Sequence, residues 1–180
     1  MRVLITGSTG MIGHGVLLEC IESDEISEVI LINRSEHPLK HPKVKETLLK
    51  DWSSFDAIKD QLKNIDACFF CLGATATTLS REVFHQITYS LTTTFAQTLQ
   101  EISPNAIITY VSGMGIDGEK PSNLMWVEIK GKTEQALLKM GFKGAYMFRP
   151  GYIQPLKGVK SKTWAYRWFY DLSSPFYPLI

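Results

Sequence analysis

Short apolar runs rich in branched residues alternate along this chain with segments in which apolar residues recur at helical spacing. Continuous apolar runs of this length are typical of strands that are buried on both faces of a sheet. They predict six strands, at residues 3–6, 28–33, 44–49, 66–72, 106–112 and 144–149. Because strands that alternate with helices form βαβ units, the pattern predicts an α/β protein of three layers around a doubly wound parallel sheet.

Four helical segments are predicted between these strands. The first follows Gly13, where apolar residues recur on one helix face. The second covers 53–63, with a serine as its candidate N-cap, and Ser122 or Asn123 is the candidate N-cap of the fourth. The third spans about 80–101 although β-branched residues disfavour a helix there, so we expect tertiary packing to stabilise it.

Three glycines spaced three apart connect the first strand to the first helix. Such a turn directs backbone N–H groups and the positive end of the helix dipole at one spot, which suits a phosphate. We assign Gly7 to the sharp turn, Gly10 to close approach of a pyrophosphate, and Gly13 to close packing of helix on strand. The predicted dinucleotide site includes the whole turn: Gly7, Ser8, Thr9, Gly10, Met11, Ile12 and Gly13.

Composition narrows the class of protein. The 180 residues suffice for one domain with a sizeable core, so we interpret 1–180 as a single domain. A net charge of +1 argues against nucleic acid or a membrane as partner. Three cysteines are too few for a disulfide framework, and no secretory cleavage pattern is seen, so we predict a cytoplasmic protein. No cysteine and histidine spacing indicates a metal site.

The residues after the second predicted strand bear on cofactor preference. NAD-selective sites commonly have a carboxylate there, which accepts hydrogen bonds from the ribose hydroxyls. Here Asn33 stands in that place and Arg34 and Ser35 follow. An arginine pairs with a 2′-phosphate through two hydrogen bonds, whereas a carboxylate would repel it. We therefore predict NADP as the cofactor, with NAD as the alternative; the other interpretation of Arg34 is a solvated loop charge.

Six segments in the expected order give the chain a resemblance to the short-chain dehydrogenase/reductase superfamily. The glycine turn, preceded by Thr6, has the superfamily's Gly-x-x-Gly-x-x-Gly spacing. Phe-Cys-Leu-Gly at 70–73 and Phe-Arg-Pro-Gly at 148–151 are most similar to its small atypical members, the Tat-interacting-protein-like and NmrA-like group. The resemblance implies a Rossmann fold that binds NAD(P).

The resemblance also implies where the rest of a dinucleotide binds. Asp51 would contact the adenine amino group, the loop after the fourth strand would wall the adenine ribose, and the Pro-Gly after the sixth strand would hold the nicotinamide amide. The implied residues are Asp51, Trp52, Leu72, Gly73, Ala74, Thr75, Pro150, Gly151 and Ile153.

The catalytic groups implied by the resemblance are only partly present. The family uses a Ser after the fifth strand and a Tyr-x-x-x-Lys pair, and Ser112 and Lys130 match the serine and the lysine that holds the nicotinamide ribose. Trp126 occupies the tyrosine position, and an indole N–H is no proton donor near neutral pH. Trp126 fills the space, stacks near the nicotinamide or turns away. Tyr152 is a substitute acid or a pocket-lining aromatic, and Tyr110 is expected in the core.

Other candidates carry less chemistry. Cys68 and Cys71 have redox spacing, but residues three apart on a strand face opposite sides, so we interpret both as core cysteines. Residues 152–180 are interpreted as a C-terminal substrate-side flap that looks truncated relative to the family, rather than as a nucleic-acid or membrane surface. The histidines are interpreted as surface, packing or polar-loop residues without a functional signal: His14, His37, His41 and His85.

Two hypotheses about function follow. The first is an NAD(P)-dependent oxidoreductase of the atypical short-chain type, acting on a carbonyl or hydroxyl of a small molecule, with Ser112 orienting the substrate oxygen. The second is a regulatory protein that binds the dinucleotide as a ligand and controls contacts with a protein partner. Trp126 favours the second hypothesis, whereas Ser112 and Lys130 favour the first, which we prefer. A homodimer is compatible with either.

Overall fold

The computed structural model describes residues 1–116 and 123–153. In this part of the chain, strands and helices follow one another in the predicted order. The strands are β1 (Arg2–Thr6), β2 (Glu28–Asn33), β3 (Val44–Leu48), β4 (Ala67–Phe70), β5 (Ile107–Val111) and β6 (Gly144–Phe148). The α-helices are α1 (Met11–Glu22), α2 (Arg81–His85), α3 (Thr92–Ile102) and α4 (Met125–Leu138).

The strands form one parallel sheet in the order β3-β2-β1-β4-β5-β6. The chain runs outward from β1 to β3, then returns to place β4 on the other side of β1. This is the doubly wound Rossmann arrangement, which confirms the predicted fold class. The switch point lies between β1 and β4, beyond their carboxyl ends, where the glycine turn follows β1.

Hydrophobic clusters cover both faces of the sheet. Side chains alternate along β1, so Leu4 joins the larger cluster with Phe95 and Leu99 of α3, and Val3 joins a smaller cluster with Leu17 of α1. All five side chains are completely buried. Burial on both faces explains why β1 and β2 are continuous apolar runs rather than alternating ones.

The helix predicted at 53–63 is wrong. The structure has only a short 3-10 turn at Asp56–Ile58, followed by further turns. Asp51 and Ser54 side chains accept the backbone N–H groups of Ser53 and Asp56, and such local bonds compete with a helix. The spacing of apolar residues correctly predicted that Ile58 is buried. The segment reaches this packing without forming a full helix.

The helix predicted at 80–101 is observed with an interruption. A π-helical turn, Gln86–Leu91, separates α2 from α3. Ser80 caps α2 through its side chain, which accepts the N–H of Val83. The hydroxyl of Thr93 donates to the carbonyl of Tyr89 at 2.8 Å, so β-branched residues supply hydrogen bonds where the ladder is widened.

The start of α4 and the C-terminal flap bear on two further predictions. Leu124 occupies the N-cap position of α4 without a side-chain cap, so the prediction of an Asn123 cap is wrong, and Ser122 lies outside the described residues. Tyr152 and Ile153 are the described residues of the predicted flap; 154–180 lie outside the described part of the chain.

Candidate functional site

A crevice of about 340 Å³ lies at the switch point of the sheet. A second pocket adjoins it and adds Lys50, Ala74, Ile87 and Leu91 to four shared residues. The loops after β5 and β6 contact each other, because the N–H of Met114 donates to the carbonyl of Pro150 at 3.2 Å. The crevice is lined by Gly7, Thr9, Gly10, Ile32, Asn33, Arg34, Ser35, Trp52, Cys71, Leu72 and Gly73.

The glycine turn is packed too tightly for side chains. Gly7 has φ +69°, and a Cβ there would lie 2.7 Å from the backbone nitrogen of Leu72. A Cβ on Gly13 would overlap the carbonyl oxygen of Gly7, so helix and turn touch backbone to backbone. Helix α1 begins at its N-cap Gly10 with no side-chain cap and no acidic residue in its first turn. Its first N–H groups, including those of Met11 and Ile12, therefore have no side-chain acceptor.

Asn33 lines the crevice, but its polar atoms are already bonded to protein. Its Oδ1 accepts from the hydroxyl of Ser8 at 2.9 Å, and its Nδ2 donates to Oε1 of Glu46 at 2.7 Å. Asn33 therefore ties the glycine turn to β3 rather than offering a free amide to a ribose. The partner Glu46 lies on the adjacent strand, and sequence reasoning missed it.

Arg34 borders both the crevice and the adjoining pocket, and Lys50 borders the adjoining pocket. Arg34 is exposed, and within the described residues its guanidinium has no acidic partner. No carboxylate is among the described residues that line either pocket. The mouth of the crevice is therefore basic, which suits an anionic ligand.

Five of the nine residues that the resemblance implies for the rest of the dinucleotide line neither of these two pockets: Asp51, Thr75, Pro150, Gly151 and Ile153. The carboxylate of Asp51 accepts the N–H of Ser53 at 2.8 Å and does not line either pocket, whereas its neighbour Trp52 lines both. The indole N–H of Trp52 donates to the carbonyl of Leu49 at 2.8 Å, which fixes the ring as a wall. Thr75 is exposed and also lies outside the lining of both pockets.

Ser112 and Lys130 lie together after β5. The ammonium of Lys130 donates to the carbonyls of Val111 and Ser112 at 3.2 and 3.0 Å and lies 5.8 Å from the ring centre of Tyr110. Burial lowers the pKa of Lys130, although the nearby charge of Glu134 opposes that shift. The hydroxyl of Ser112 is buried and has no hydrogen-bond partner among the described residues. An unbonded buried hydroxyl is costly, and it marks a place where a ligand atom would be stabilised.

The aromatic residues near this pair differ in their suitability as acids. Trp126 is half-buried and lies over Gly113, where a Cβ would be 3.3 Å from its ring. Tyr110 is buried, as predicted for a core residue, and burial raises its pKa far above the usual range for tyrosine. Tyr152 is exposed. Of the three, only Tyr152 combines an ionisable hydroxyl with access to solvent.

A buried ion pair on α4 was not predicted. Glu134, one helical turn after Lys130, has no exposed surface. Arg149 donates three hydrogen bonds to it: from Nε to Oε1 at 3.0 Å and to Oε2 at 3.2 Å, and from a terminal guanidinium nitrogen to Oε2 at 2.5 Å. Arg149 follows β6 directly and precedes Pro150. The pair therefore fixes the start of the loop after β6 to the helix that carries Lys130. The sequence signal was a glutamate four residues after the lysine, but its partner is 15 residues away.

The cysteines, the potential metal ligands and the helix lengths of the described residues bear on three other kinds of site. Cys68 is completely buried and Cys71 is half-buried; burial raises the pKa of Cys71 to about 12, which fits unreactive thiols. No group of three or more metal-ligating side chains occurs in the described part. None of the helices there is both long and apolar enough to cross a membrane.

Comparison with known proteins gives distant relatives and a shared fold. No family model matches the chain. Protein FMP52, mitochondrial, of Candida albicans is 26% identical over 157 residues, which are 84% of this chain and 66% of the relative. Curated proteins of the same or a numbered name from four other species are 23–28% identical. The chain spans about two thirds of the length of the curated relatives it matches.

The solved structures share the fold over about half of their own length. MoeE5 in complex with UDP-glucuronic acid and NAD superimposes with a TM-score of 0.67 at 17% identity, covering 83% of this chain and 54% of that chain. The PhqB reductase domain from Penicillium fellutanum has a TM-score of 0.68 at 18% identity, covering 89% of this chain and 51% of that chain. Identity this low establishes the Rossmann fold and no more.

The predicted cytoplasmic location is wrong, because the five curated relatives compared above are named as mitochondrial proteins. The prediction rested on the small number of cysteines and on the lack of a secretory cleavage pattern. Both features argue against the secretory pathway, and neither distinguishes the cytoplasm from mitochondria.

Proposed function

We propose that this protein binds a nicotinamide dinucleotide in the crevice at the switch point and acts as an oxidoreductase on a carbonyl or hydroxyl of a small molecule. The observation that carries the proposal is the start of α1, where a glycine turn closed to side chains precedes a helix with no cap and no acid. An anion is what such a helix start stabilises. Membership of the short-chain dehydrogenase/reductase superfamily, in its Tat-interacting-protein-like or NmrA-like group, is part of the proposal.

The adenosine end of the dinucleotide would lie between β2 and the loop after β4. Trp52 and Leu72 wall the space, and Arg34 lies at its mouth without an acidic partner among the described residues. A guanidinium there would bind a 2′-phosphate, and the missing carboxylate removes the repulsion that selects NAD. We therefore propose NADP(H) as the preferred cofactor. Ser35, which also lines the crevice, is the adjacent hydroxyl in this end of the site.

The reactive end would lie beyond β5 and β6. Bound there, the nicotinamide would supply or accept the hydride. The hydroxyl of Ser112, which has no hydrogen-bond partner among the described residues, would donate to a substrate oxygen, with the amino group of Lys130 beside it. Pro150, Gly151 and Ile153 would bound the nicotinamide through the loop that Arg149 anchors. Tyr152 is the proton donor that we propose, since it is an exposed tyrosine two residues after Pro150.

A second candidate function is a regulatory protein that binds the dinucleotide without turning it over. Trp126 favours it, because an indole replaces the acid of the Tyr-x-x-x-Lys pair and covers Gly113 next to Ser112. Under this alternative, occupation of the crevice would change contacts with a protein partner. The two candidates make the same prediction for binding and opposite predictions for turnover.

The test is a fluorescence titration with NADPH and NADH, followed by a panel of carbonyl substrates observed at the nicotinamide absorbance. Binding with turnover supports the oxidoreductase, and Tyr152→Phe then removes turnover while leaving binding intact. Binding without turnover, together with turnover gained by Trp126→Tyr, supports the regulatory protein. Absence of binding for both dinucleotides refutes the proposal.

The names of the curated relatives also support a proposal about location. We propose that the protein acts in mitochondria, as those relatives are named to do. Fractionation of cells that express the full-length protein with a C-terminal tag tests this directly. Recovery in the mitochondrial fraction is the expected result, and recovery in another fraction contradicts it.

A further inference from the structure

Two histidines form a ring pair behind the adenosine end of the crevice. His14, in the first turns of α1, and His37, after β2, stack with ring centres 5.2 Å apart at an interplanar angle of 24°. Nδ1 of His14 lies 3.2 Å from Nε2 of His37, and His37 is only 2% exposed. His37 lies in the loop after β2, as predicted, but its burial against the ring of His14 was not predicted.

The hydrogen bonds of the pair fix its protons. The backbone N–H of Leu39 donates to Nδ1 of His37 at 3.1 Å, so Nδ1 carries no proton. A neutral His37 then has its proton on Nε2 and donates it to Nδ1 of His14, whose own proton is on Nε2. Two protons satisfy this arrangement completely. A third proton must either displace the Leu39 bond or place two N–H groups against each other.

The pair also holds the segment that borders the crevice. The backbone N–H of His37 donates to Oε1 of Glu46 at 2.9 Å, and the same oxygen accepts from Asn33. We call residues 34–37 the 34–37 segment. Hydrogen bonds to Glu46 fix this segment at both ends, through Asn33 just before it and through His37 within it. Arg34 and Ser35 lie between these two anchors and line the crevice. Their positions depend on the ring contact between His37 and α1.

The charged groups around the pair do not stabilise an imidazolium. From β3, Glu46 is bonded to backbone and amide N–H groups; in the loop itself, Lys40 pairs with Glu36 at 2.6 Å and lies 3.6 Å from Glu46. Within the described residues, no carboxylate is bonded to either ring. Burial and, secondly, the charge of His37 lower the pKa of His14. Burial therefore favours the neutral form of the His14 ring.

We propose that His37 is a positioning residue for the dinucleotide site, and that protonation of the His14–His37 pair releases the 34–37 segment and weakens binding at the adenosine end. This inference rests on the proposed dinucleotide binding. If binding requires the neutral pair, the dissociation constant rises as pH falls through the histidine range, by up to about tenfold per pH unit for one proton. Above that range the affinity is constant.

The experiment measures dissociation constants for NAD⁺ and NADP⁺ by calorimetry from about pH 8 to pH 5.5. NAD⁺ is the principal probe because a 2′-phosphate itself titrates near pH 6. His37→Asn is the informative variant, since an asparagine oxygen accepts the N–H two residues later but does not titrate. His37→Leu removes the acceptor. His41→Asn is the matched control, because His41 accepts the N–H of Lys43 in the same way but has no ring partner among the described residues.

We expect wild-type affinity for NAD⁺ to fall as the solution is acidified. His37→Asn should bind more weakly than the wild type at pH 8, because the ring contact with His14 is lost, but its affinity should not fall further on acidification. His37→Leu should bind about tenfold more weakly even at pH 8, the effect of one lost hydrogen bond. His41→Asn should follow the wild type. Equal pH profiles for the wild type and His37→Asn overturn the inference while leaving dinucleotide binding intact. No binding at any pH refutes the proposed function instead.

Histidine nitrogen NMR on the unmodified protein tests the same inference if a variant fails to fold. At pH 8 we expect the proton of His37 on Nε2, with Nδ1 unprotonated, and a cross-peak that disappears when the pair takes up a proton. A proton found on Nδ1 of His37 at pH 8 overturns the arrangement. Acidification that protonates the pair without altering the backbone signals of Arg34 and Ser35 overturns the release of the segment.

Discussion

The buried ion pair between α4 and the end of β6 predicts an asymmetry between its two partners. Glu134 has no exposed surface, whereas the side chain of Arg149 is 44% exposed. Arg149→Met leaves a buried carboxylate without its cation, which costs about 3–5 kcal/mol. Glu134→Gln leaves an arginine that reaches water and an amide that still accepts a hydrogen bond, so we expect a loss of about 1–3 kcal/mol.

A second ion pair on the same helix provides the control. Arg81 and Glu128 are paired at 2.5 Å, but their side chains are 53% and 28% exposed. Solvent screens such a pair, so Arg81→Met and Glu128→Gln should each cost about 1 kcal/mol or less. Both pairs have their glutamate on α4. Comparing the losses in free energy of unfolding therefore separates the effect of burying an ion pair from any effect on the stability of α4.

The assay is urea unfolding of both single variants and of the double variant Glu134→Gln/Arg149→Met. Removing both charges eliminates the uncompensated carboxylate, so the double variant should be more stable than Arg149→Met alone. In this double-mutant cycle, the contribution of other contacts of Arg149 to the free energy of unfolding cancels. A loss for Glu134→Gln that equals or exceeds that for Arg149→Met refutes the reasoning, because it would mean that the exposed arginine is the partner that depends on the pair.

Three further predictions concern the crevice. Gly13→Ala places a methyl group against the carbonyl of Gly7, so we expect a loss of about 1–3 kcal/mol in urea unfolding and weaker dinucleotide binding; unchanged stability contradicts the close packing. Arg34→Ala should weaken NADP⁺ binding at least about tenfold more than NAD⁺ binding, and equal losses exclude a 2′-phosphate contact. Cys71, whose pKa burial raises to about 12, should react with a thiol reagent at pH 8 far more slowly than it does in urea; mass spectrometry that shows rapid labelling of the folded protein refutes this.

The strands were predictable because burial on both faces leaves a strong local signal. Each of the six predicted runs overlaps an observed strand, with ends that differ by at most two residues. The glycine turn was predictable for a related reason, since its conformation requires glycine at Gly7 whatever lies around it. Both signals are carried by adjacent residues, and no knowledge of distant contacts is needed to detect them.

Two features were missed because the deciding partner is distant in sequence, and one helix was predicted wrongly for a local reason. His37 lies between polar and proline residues and has the composition of a loop, yet its ring contact comes from His14, 23 residues earlier. The side-chain amide of Asn33 donates to Glu46, which comes close to Asn33 only because β3 pairs with β2 in the folded sheet. Periodicity predicted burial of Ile58 correctly and its helix wrongly, because the local side-chain bonds of Asp51 and Ser54 were not considered.

The hydroxyl of Ser112 distinguishes a ligand site from a structural residue. It is buried without a partner among the described residues, whereas the equally buried Ser103 donates to Leu62 at 2.7 Å and accepts from Ile65 at 3.1 Å. Ser103→Ala should therefore cost about 1–3 kcal/mol, while Ser112→Ala removes an unsatisfied group and leaves stability unchanged or slightly raised. If Ser112 serves the substrate, the same variant loses turnover, or ligand affinity where there is no turnover. Either of two results would show that the Ser112 hydroxyl has a structural role only: a Ser112→Ala variant destabilised as much as Ser103→Ala, or one that keeps full activity and affinity. A hydroxyl that serves a ligand is dispensable for folding and required for function.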